Sequence, residues 1–228
     1  PWWESTSTTC PRPTAWQSVG GSSPLIGILA LQGDVAEHRR MLEALGARVV
    51  EVRQPQHLDG LQGLVIPGGE SSVMDKLCRL FGLAEPLRWA IDEGLPVLGT
   101  CAGMIMLASD LEDGIEGQET LGGLDMTVLR NAFGSQRDSF DVRLPVTGLS
   151  GGDVDVSFIR APIVTRVGQG VETRAQLDDG RIVAVDNGQC LALAFHPEVT
   201  GDDRLHREFL SRAERFPGLP GDLPTTLA

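Results

Sequence analysis

Hydrophobic and polar positions fall into alternating blocks along the first half of the chain. Ile26 to Leu31 is a short apolar run that ends at Gln32-Gly33. Asp34 then stands at a helix N-cap position with Glu37 three residues on, the spacing of a capping box. Val35, His38, Leu42 and Leu45 recur at helical spacing, and Gly46 supplies a C-terminal stop. Arg48 to Val52 predicts a strand. Leu64 to Ile66 predicts another, broken by Pro67-Gly68-Gly69. Ser71 to Phe81 and Ala84 to Glu93 read as helices parted at Gly82. Pro96 to Thr100 reads as a strand and Ala102 to Ala108 as the helix after it. Such strand–helix alternation specifies an α/β fold, an open, mainly parallel sheet flanked by helices in the flavodoxin-like manner.

The second half changes character. Leu124–Leu129, Ser139–Leu144, Val154–Ile159, Val171–Leu177, Ile182–Asp186 and Cys190–Phe195 are short β-rich runs punctuated by Gly and Asp. They predict antiparallel strands added to the sheet, with Asp203 to Phe216 closing as a helix. No linker-like stretch divides residues 24–215, which read as one domain. Residues 1–23, rich in Ser, Thr, Pro and Gly, read as a disordered leader, and 216–228 as a flexible tail.

Composition narrows the partners. The 228 residues are 41% hydrophobic and carry a formal net charge of −12. A polyanion has no electrostatic reason to bind nucleic acid or an anionic membrane. No apolar run is long enough to span a bilayer. Cys10, Cys78, Cys101 and Cys190 form no CxxC pair and no metal-like cluster with the four histidines, so neither a disulfide scaffold nor a structural zinc site is expected. Reduced thiols in a cytoplasmic protein fit this usage. Nothing in the sequence calls for a cofactor.

The most informative segment is Gly99-Thr100-Cys101-Ala102-Gly103. It follows an apolar strand and opens a helix, the setting of a nucleophile elbow with Cys in place of Ser. The glycines suit a turn too sharp for Cβ atoms, and the helix N-terminus favours a thiolate at Cys101. Cys78, inside a helical pattern, and Cys190, starting an apolar strand, read as core residues. A cysteine nucleophile needs a base, and the base needs an orienter. His196 ends the run Cys190–Phe195 and is followed by Pro197-Glu198; on extended chain His196 and Glu198 point to one side. His38 reads instead as a packed or capping residue, His57 as a loop residue, and His206 as solvated or helix-packing. Pro67-Gly68-Gly69-Glu70-Ser71 ends a strand at the same sheet edge, where open α/β sheets place ligands. Its Gly69 N–H and that of Ala102 are the expected oxyanion donors.

Elbow, Gly-Gly loop and His-Pro-Glu, in this order, resemble the class I, triad-type glutamine amidotransferases. Ala30-Leu31-Gln32-Gly33, Pro67 to Ser72, Gly99 to Gly103, Arg130-Asn131-Ala132-Phe133-Gly134, Phe158-Ile159-Arg160-Ala161-Pro162 and Phe195 to Glu198 together are similar to the glutaminase subunits of pyridoxal 5′-phosphate synthase. The likeness spans roughly Leu25 to Arg215. It implies that Cys101 attacks the side-chain amide of L-glutamine and forms a γ-glutamyl thioester, with His196 as acid and base and Glu198 as its orienter. It also implies substrate contacts at Gly68, Gly69, Glu70, Ser71, Arg130, Ile159 and Arg160. Glutamine is a zwitterion; Glu70 suits its ammonium, and Arg130 or Arg160 its carboxylate. The resemblance names the ammonia acceptor as a (β/α)8 synthase subunit, joined in a large hetero-oligomer. The chain departs from the pattern at Ser135, where the family carries a second Arg.

Two other readings share the motifs: a glutaminase subunit for another synthase, such as imidazole glycerol phosphate synthase, and a non-catalytic regulatory protein on the same fold. The Arg-Asn-x-Phe-Gly and Phe-Ile-Arg-Ala-Pro segments speak against the first, and retention of Cys, His and Glu against the second.

Overall fold

The computed structural model describes residues 23–132, 140–158 and 161–221. Its first half follows the hydrophobic blocks. Strands β1 (Leu25–Leu29), β2 (Arg48–Val52), β3 (Gly63–Ile66) and β4 (Val97–Thr100) alternate with helices α1 (Val35–Ala44), α2 (Ser71–Leu80), α3 (Ala84–Asp92) and α4 (Ala102–Leu107). β1 pairs in parallel with both β2 and β3, and β3 with β4. β3 and β4 are buried at every position, the mark of parallel strands covered on both faces.

The second half supplies β5 (Ala108–Leu111), β6 (Leu124–Leu129), β7 (Phe140–Leu144), β8 (Val154–Phe158), β9 (Ile163–Val167), β10 (Glu172–Gln176), β11 (Ile182–Asp186) and β12 (Cys190–Leu193). Most rejoin the main sheet, whose order is β2-β1-β3-β4-β12-β11-β9-β6-β5, with β10 beside β11. The β6–β9, β9–β11, β10–β11 and β11–β12 pairings are antiparallel. β7 and β8 form a separate antiparallel pair. The sequence pattern shows neither β5 nor β9: Ser109 and Asp110 of β5 and Thr165 and Arg166 of β9 are exposed, so no apolar run announces them.

The pairing of β12 with β4 places the site. β12 returns to lie parallel to β4, with Leu193 opposite Thr100. The carboxyl ends of β1, β3, β4 and β12 therefore open on the same edge of the sheet. Short helix α5 (Pro197–Thr200) follows β12, and α6 (Arg204–Ala213) packs on β3 and β4. Phe209 of α6 lies where a Cβ on Gly63 would collide, 2.7 Å from it, so glycine at that position lets the helix seat on the sheet.

Candidate active site

Cys101 is the first residue past β4 and the N-cap of α4. Its backbone takes φ 49° and ψ −101°, and it is the sole non-glycine residue with positive φ among the described residues. Such a conformation costs about 1–3 kcal/mol and persists because the surroundings impose it. Those surroundings are visible. A Cβ on Gly99 would sit 2.7 Å from the Gly103 carbonyl oxygen, and one on Gly103 would collide with the Ile66 oxygen. Cys101 N–H donates to Leu193 O at 2.8 Å, tying the elbow to β12. Cys101 is 8% exposed. Cys78 and Cys190 are also buried, and burial pushes each thiol up to about 12, where it stays protonated.

His196 follows β12 by three residues and interacts with Cys101. Its Nδ1 lies 2.8 Å from Glu198 Oε1. The two face each other for a reason other than the one the sequence suggests. The chain is not extended here: His196 is the N-cap of α5 and Glu198 lies in its first turn. The helix start, not strand alternation, folds the carboxylate back onto the ring. Burial works against a charge on His196, but the Cys101 sulfur and the Glu198 carboxylate outweigh it and raise the imidazole to about 10. Burial likewise opposes ionisation of Glu198, yet His38 and His196 hold its carboxyl well below the usual range.

Asp34 departs from the sequence reading. It occupies the N-cap position of α1 but makes no side-chain cap hydrogen bond. Its Oδ2 instead lies 3.3 Å from His196 Nδ1. Gly68 sits between these groups; a Cβ there would collide with His196 Cε1 and lie 2.7 Å from Asp34 Oδ2. Asp34, His196 and Glu198 form a set of ligand-type atoms within 4.8 Å of one another. The imidazole Nδ1 at its centre is already engaged by carboxylate, so the set serves the ring.

Beside Cys101, a cleft is lined by Gly69, Glu70, Ser71, Cys101, Ile105, Arg130 and Asn131. Glu70 is the N-cap of α2 and accepts from Ser72 N. Arg130 donates through Nη2 to Glu70 Oε1 at 2.9 Å, and its backbone N–H donates to Asp113 Oδ1 at 2.7 Å. The guanidinium is buried, while Glu70 is about half exposed at its side chain. Arg130 Nε has no hydrogen-bond partner among the described residues, a buried donor left over at the cleft. The Ser71 hydroxyl accepts from Gln118 at 3.1 Å. The Ala102 N–H, in the first turn of α4 directly after Cys101, has no partner within the helix. Gly69 has φ 148°, and a Cβ there would meet the Gln32 side chain at 2.5 Å. Ile159, Arg160 and Ser135 lie outside the described residues.

His38 is packed, as its place on the first helix suggests, and His206 takes the helix-packing rather than the solvated alternative; that the two meet behind Glu198 escaped the sequence reading. His38 and His206 are fully buried. His38 Nδ1 lies 2.9 Å from His206 Nε2, and His38 Nε2 lies 3.1 Å from Thr100 Oγ1 and 3.4 Å from Glu198 Oε1. His206 is not solvated because α6 turns it onto α1. The helical spacing Leu205, Phe209, Ala213 marks the buried face, and His206 borders it.

Residues 28–215 match the SNO glutamine amidotransferase family model. The chain belongs to that family. It is 61% identical over 194 residues to a pyridoxal 5′-phosphate synthase subunit PdxT of Clavibacter sepedonicus, covering 85% of this chain and 93% of the relative. It is 57% identical to a protein of the same name from Cutibacterium acnes, covering 82% and 96%. A crystal structure of a glutamine amidotransferase superposes with a TM-score of 0.76 at 48% identity, covering 82% of this chain and 98% of the other. The structure of PurLQS from Thermotoga maritima, at 19% identity and TM-score 0.57, covering 84% and 97%, shares the fold.

Proposed function

We propose that the chain is the glutaminase subunit of a pyridoxal 5′-phosphate synthase, hydrolysing L-glutamine to L-glutamate and ammonia. The observation that carries this reading is a strained cysteine at a strand end, facing a carboxylate-held imidazole, in a chain 61% and 57% identical to two subunits of that synthase.

The geometry supports a sequence of steps. The imidazole takes the Cys101 proton, and the thiolate adds to the side-chain carbonyl carbon of glutamine. Negative charge develops on the carbonyl oxygen, with Ala102 N–H and Gly69 N–H as its donors. The tetrahedral adduct collapses as His196 returns its proton to the leaving nitrogen, giving a γ-glutamyl thioester and ammonia. A water then adds to the thioester carbonyl while His196 accepts its proton. The second adduct releases glutamate and regenerates the thiol. Glu198 keeps the imidazole turned with one nitrogen toward sulfur throughout.

Arg130 and Glu70 suit the substrate's two charges. In the structure they pair with each other. Binding the glutamine carboxylate on Arg130 and its ammonium on Glu70 replaces one ion pair with two. Gly68, Ser71, Ile159 and Arg160 complete the set of proposed substrate contacts.

Ammonia released into neutral water becomes ammonium and loses its nucleophilicity. A partner of (β/α)8 architecture that receives it through a protected passage fits this chemistry, in a cytoplasmic hetero-oligomer. Glutamate release, measured with and without the cognate synthase subunit, tests the reading. It is expected to rise when that partner is present, and to vanish in Cys101→Ala. Equal background rates in parent and variant would overturn it.

A further inference from the structure

The Cys101–His196–Glu198 line does not stop at the carboxylate. Behind Glu198, in a region without solvent, stand two more imidazoles and a hydroxyl from three separate elements. His38 comes from α1, Thr100 from the end of β4 and His206 from α6. All three are fully buried. Resting on the proposed glutaminase activity, we infer that His38 is a positioning residue for the reaction, donating from Nε2 to the Thr100 hydroxyl and the Glu198 carboxylate, with His206 fixing its tautomer from behind.

The protons can be counted. Glu198 Oε1 accepts from His196 Nδ1, and the same oxygen faces His38 Nε2 at 3.4 Å. A bare Nε2 would set a nitrogen lone pair against an anionic carboxylate inside the protein, where nothing screens the repulsion. A proton on Nε2 turns that contact into an attraction and gives Thr100 Oγ1, at 3.1 Å, a donor. The next link follows. His38 Nδ1 and His206 Nε2 are 2.9 Å apart, so one proton lies between them. With that proton on His206 Nε2, His206 Nδ1 is left as a lone pair. His206 Nδ1 has no partner among the described residues. The observed orphan is therefore the acceptor that this arrangement leaves over.

The far end is mechanically anchored. Arg174 of β10 donates to Asp186 at 2.5 Å and to Glu208 at 2.9 Å, and Arg212 donates to Asp186 at 2.8 Å. These ion pairs clamp α6 to β10 and β11. His206 thus supports His38, and through it Glu198, from a fixed base. Among the described residues, the charged and titratable groups facing this chain of residues include Cys101 at the elbow, which touches His196. Glu198 comes from α5, His196 from the loop before it, Asp34 from the start of α1, and Asp202 and Asp203 from the start of α6.

Nitrogen-15 spectra of histidine-labelled wild-type protein read the tautomer directly and need no variant. His38 is expected to carry a proton on Nε2 at neutral pH; a bare Nε2 would overturn the inference, whether or not the protein hydrolyses glutamine. With the synthase subunit present, His38→Leu is expected to lower kcat by up to about 100-fold, the scale of a small misplacement of a reacting group, with KM for glutamine little changed. Its pH–rate profile should move toward alkali, because a carboxylate short of one donor holds the His196 proton more tightly. His38→Gln, which keeps a donor, should restore both. An unmoved pH profile in His38→Leu, or activity lost alike in the Leu and Gln variants, would reduce His38 to a packing role.

Discussion

His196 Nδ1 stands 2.8 Å from Glu198 Oε1, a contact made by two residues that flank a single proline at the start of a helix. Pro197 suits the first helical position, where a missing N–H costs nothing. The helix start turns the acid back on the imidazole, and His38 from α1 backs the same carboxylate oxygen. Glu198→Gln keeps the shape but replaces an acceptor-only group by one that also donates. The ring is then free to present the wrong tautomer to Cys101. Glutamine hydrolysis should fall by about 1,000-fold or more, with thermal stability much less affected. A variant retaining most of its kcat would show that the carboxylate does not hold the ring.

Gly68 separates two effects that glycine substitutions usually mix. A Cβ at Gly68 would collide with the His196 ring, whereas a Cβ at Gly46, with φ 90°, would meet nothing within 4 Å. Gly46→Ala should cost about 1 kcal/mol of stability from backbone strain and leave activity intact. Gly68→Ala should displace the imidazole and abolish most activity. Denaturant titration and glutamate release on the two variants check the contrast; equal losses of activity would contradict it.

Arg130 is buried and paired with the half-exposed Glu70 at the cleft. A guanidinium that receives the substrate carboxylate contributes a charge-assisted hydrogen bond. Arg130→Ala should therefore raise KM for glutamine by about 10- to 100-fold, with a smaller change in kcat. Steady-state kinetics of the complex decide this. A fall in kcat alone would place Arg130 outside the substrate contacts.

Acid should unfold the protein through His206. Burial, with His38 beside it, depresses this imidazole from 6.5 to about 3. Its unfolded form thus binds protons that its folded form refuses, and stability falls as pH drops below 6.5. Glu198, depressed below its usual 4.5, adds to the loss only in stronger acid. Urea unfolding should show lower stability near pH 5 than near neutrality, and His206→Leu should flatten that difference. An unchanged slope in the variant would assign the acid sensitivity elsewhere.

Much of this protein is legible in one dimension. Cys101 announces itself because an elbow needs glycine two residues to either side, and the structure shows the carbonyls those glycines avoid. The helices of the first half follow from apolar spacing, since each buries one face. β5 and β9 are not legible, because they lie where exposed polar residues interrupt any apolar pattern. Asp34 is misleading: its spacing from Glu37 imitates a capping box, but its carboxylate turns to His196.

The sequence by itself determined the chemistry available: a thiol at an elbow, an imidazole followed by an acid, and a glycine pair at a strand end. Such features are local, written in neighbours a few residues apart. Tertiary structure decided that they meet. β12 leaves a run of antiparallel strands and inserts parallel to β4, so that His196 arrives at the edge where Cys101 waits. It also decided that His38 and His206, 168 positions apart, share a hydrogen bond behind Glu198. No periodicity encodes such a contact, because it depends on where two helices come to rest on one sheet rather than on which face each presents.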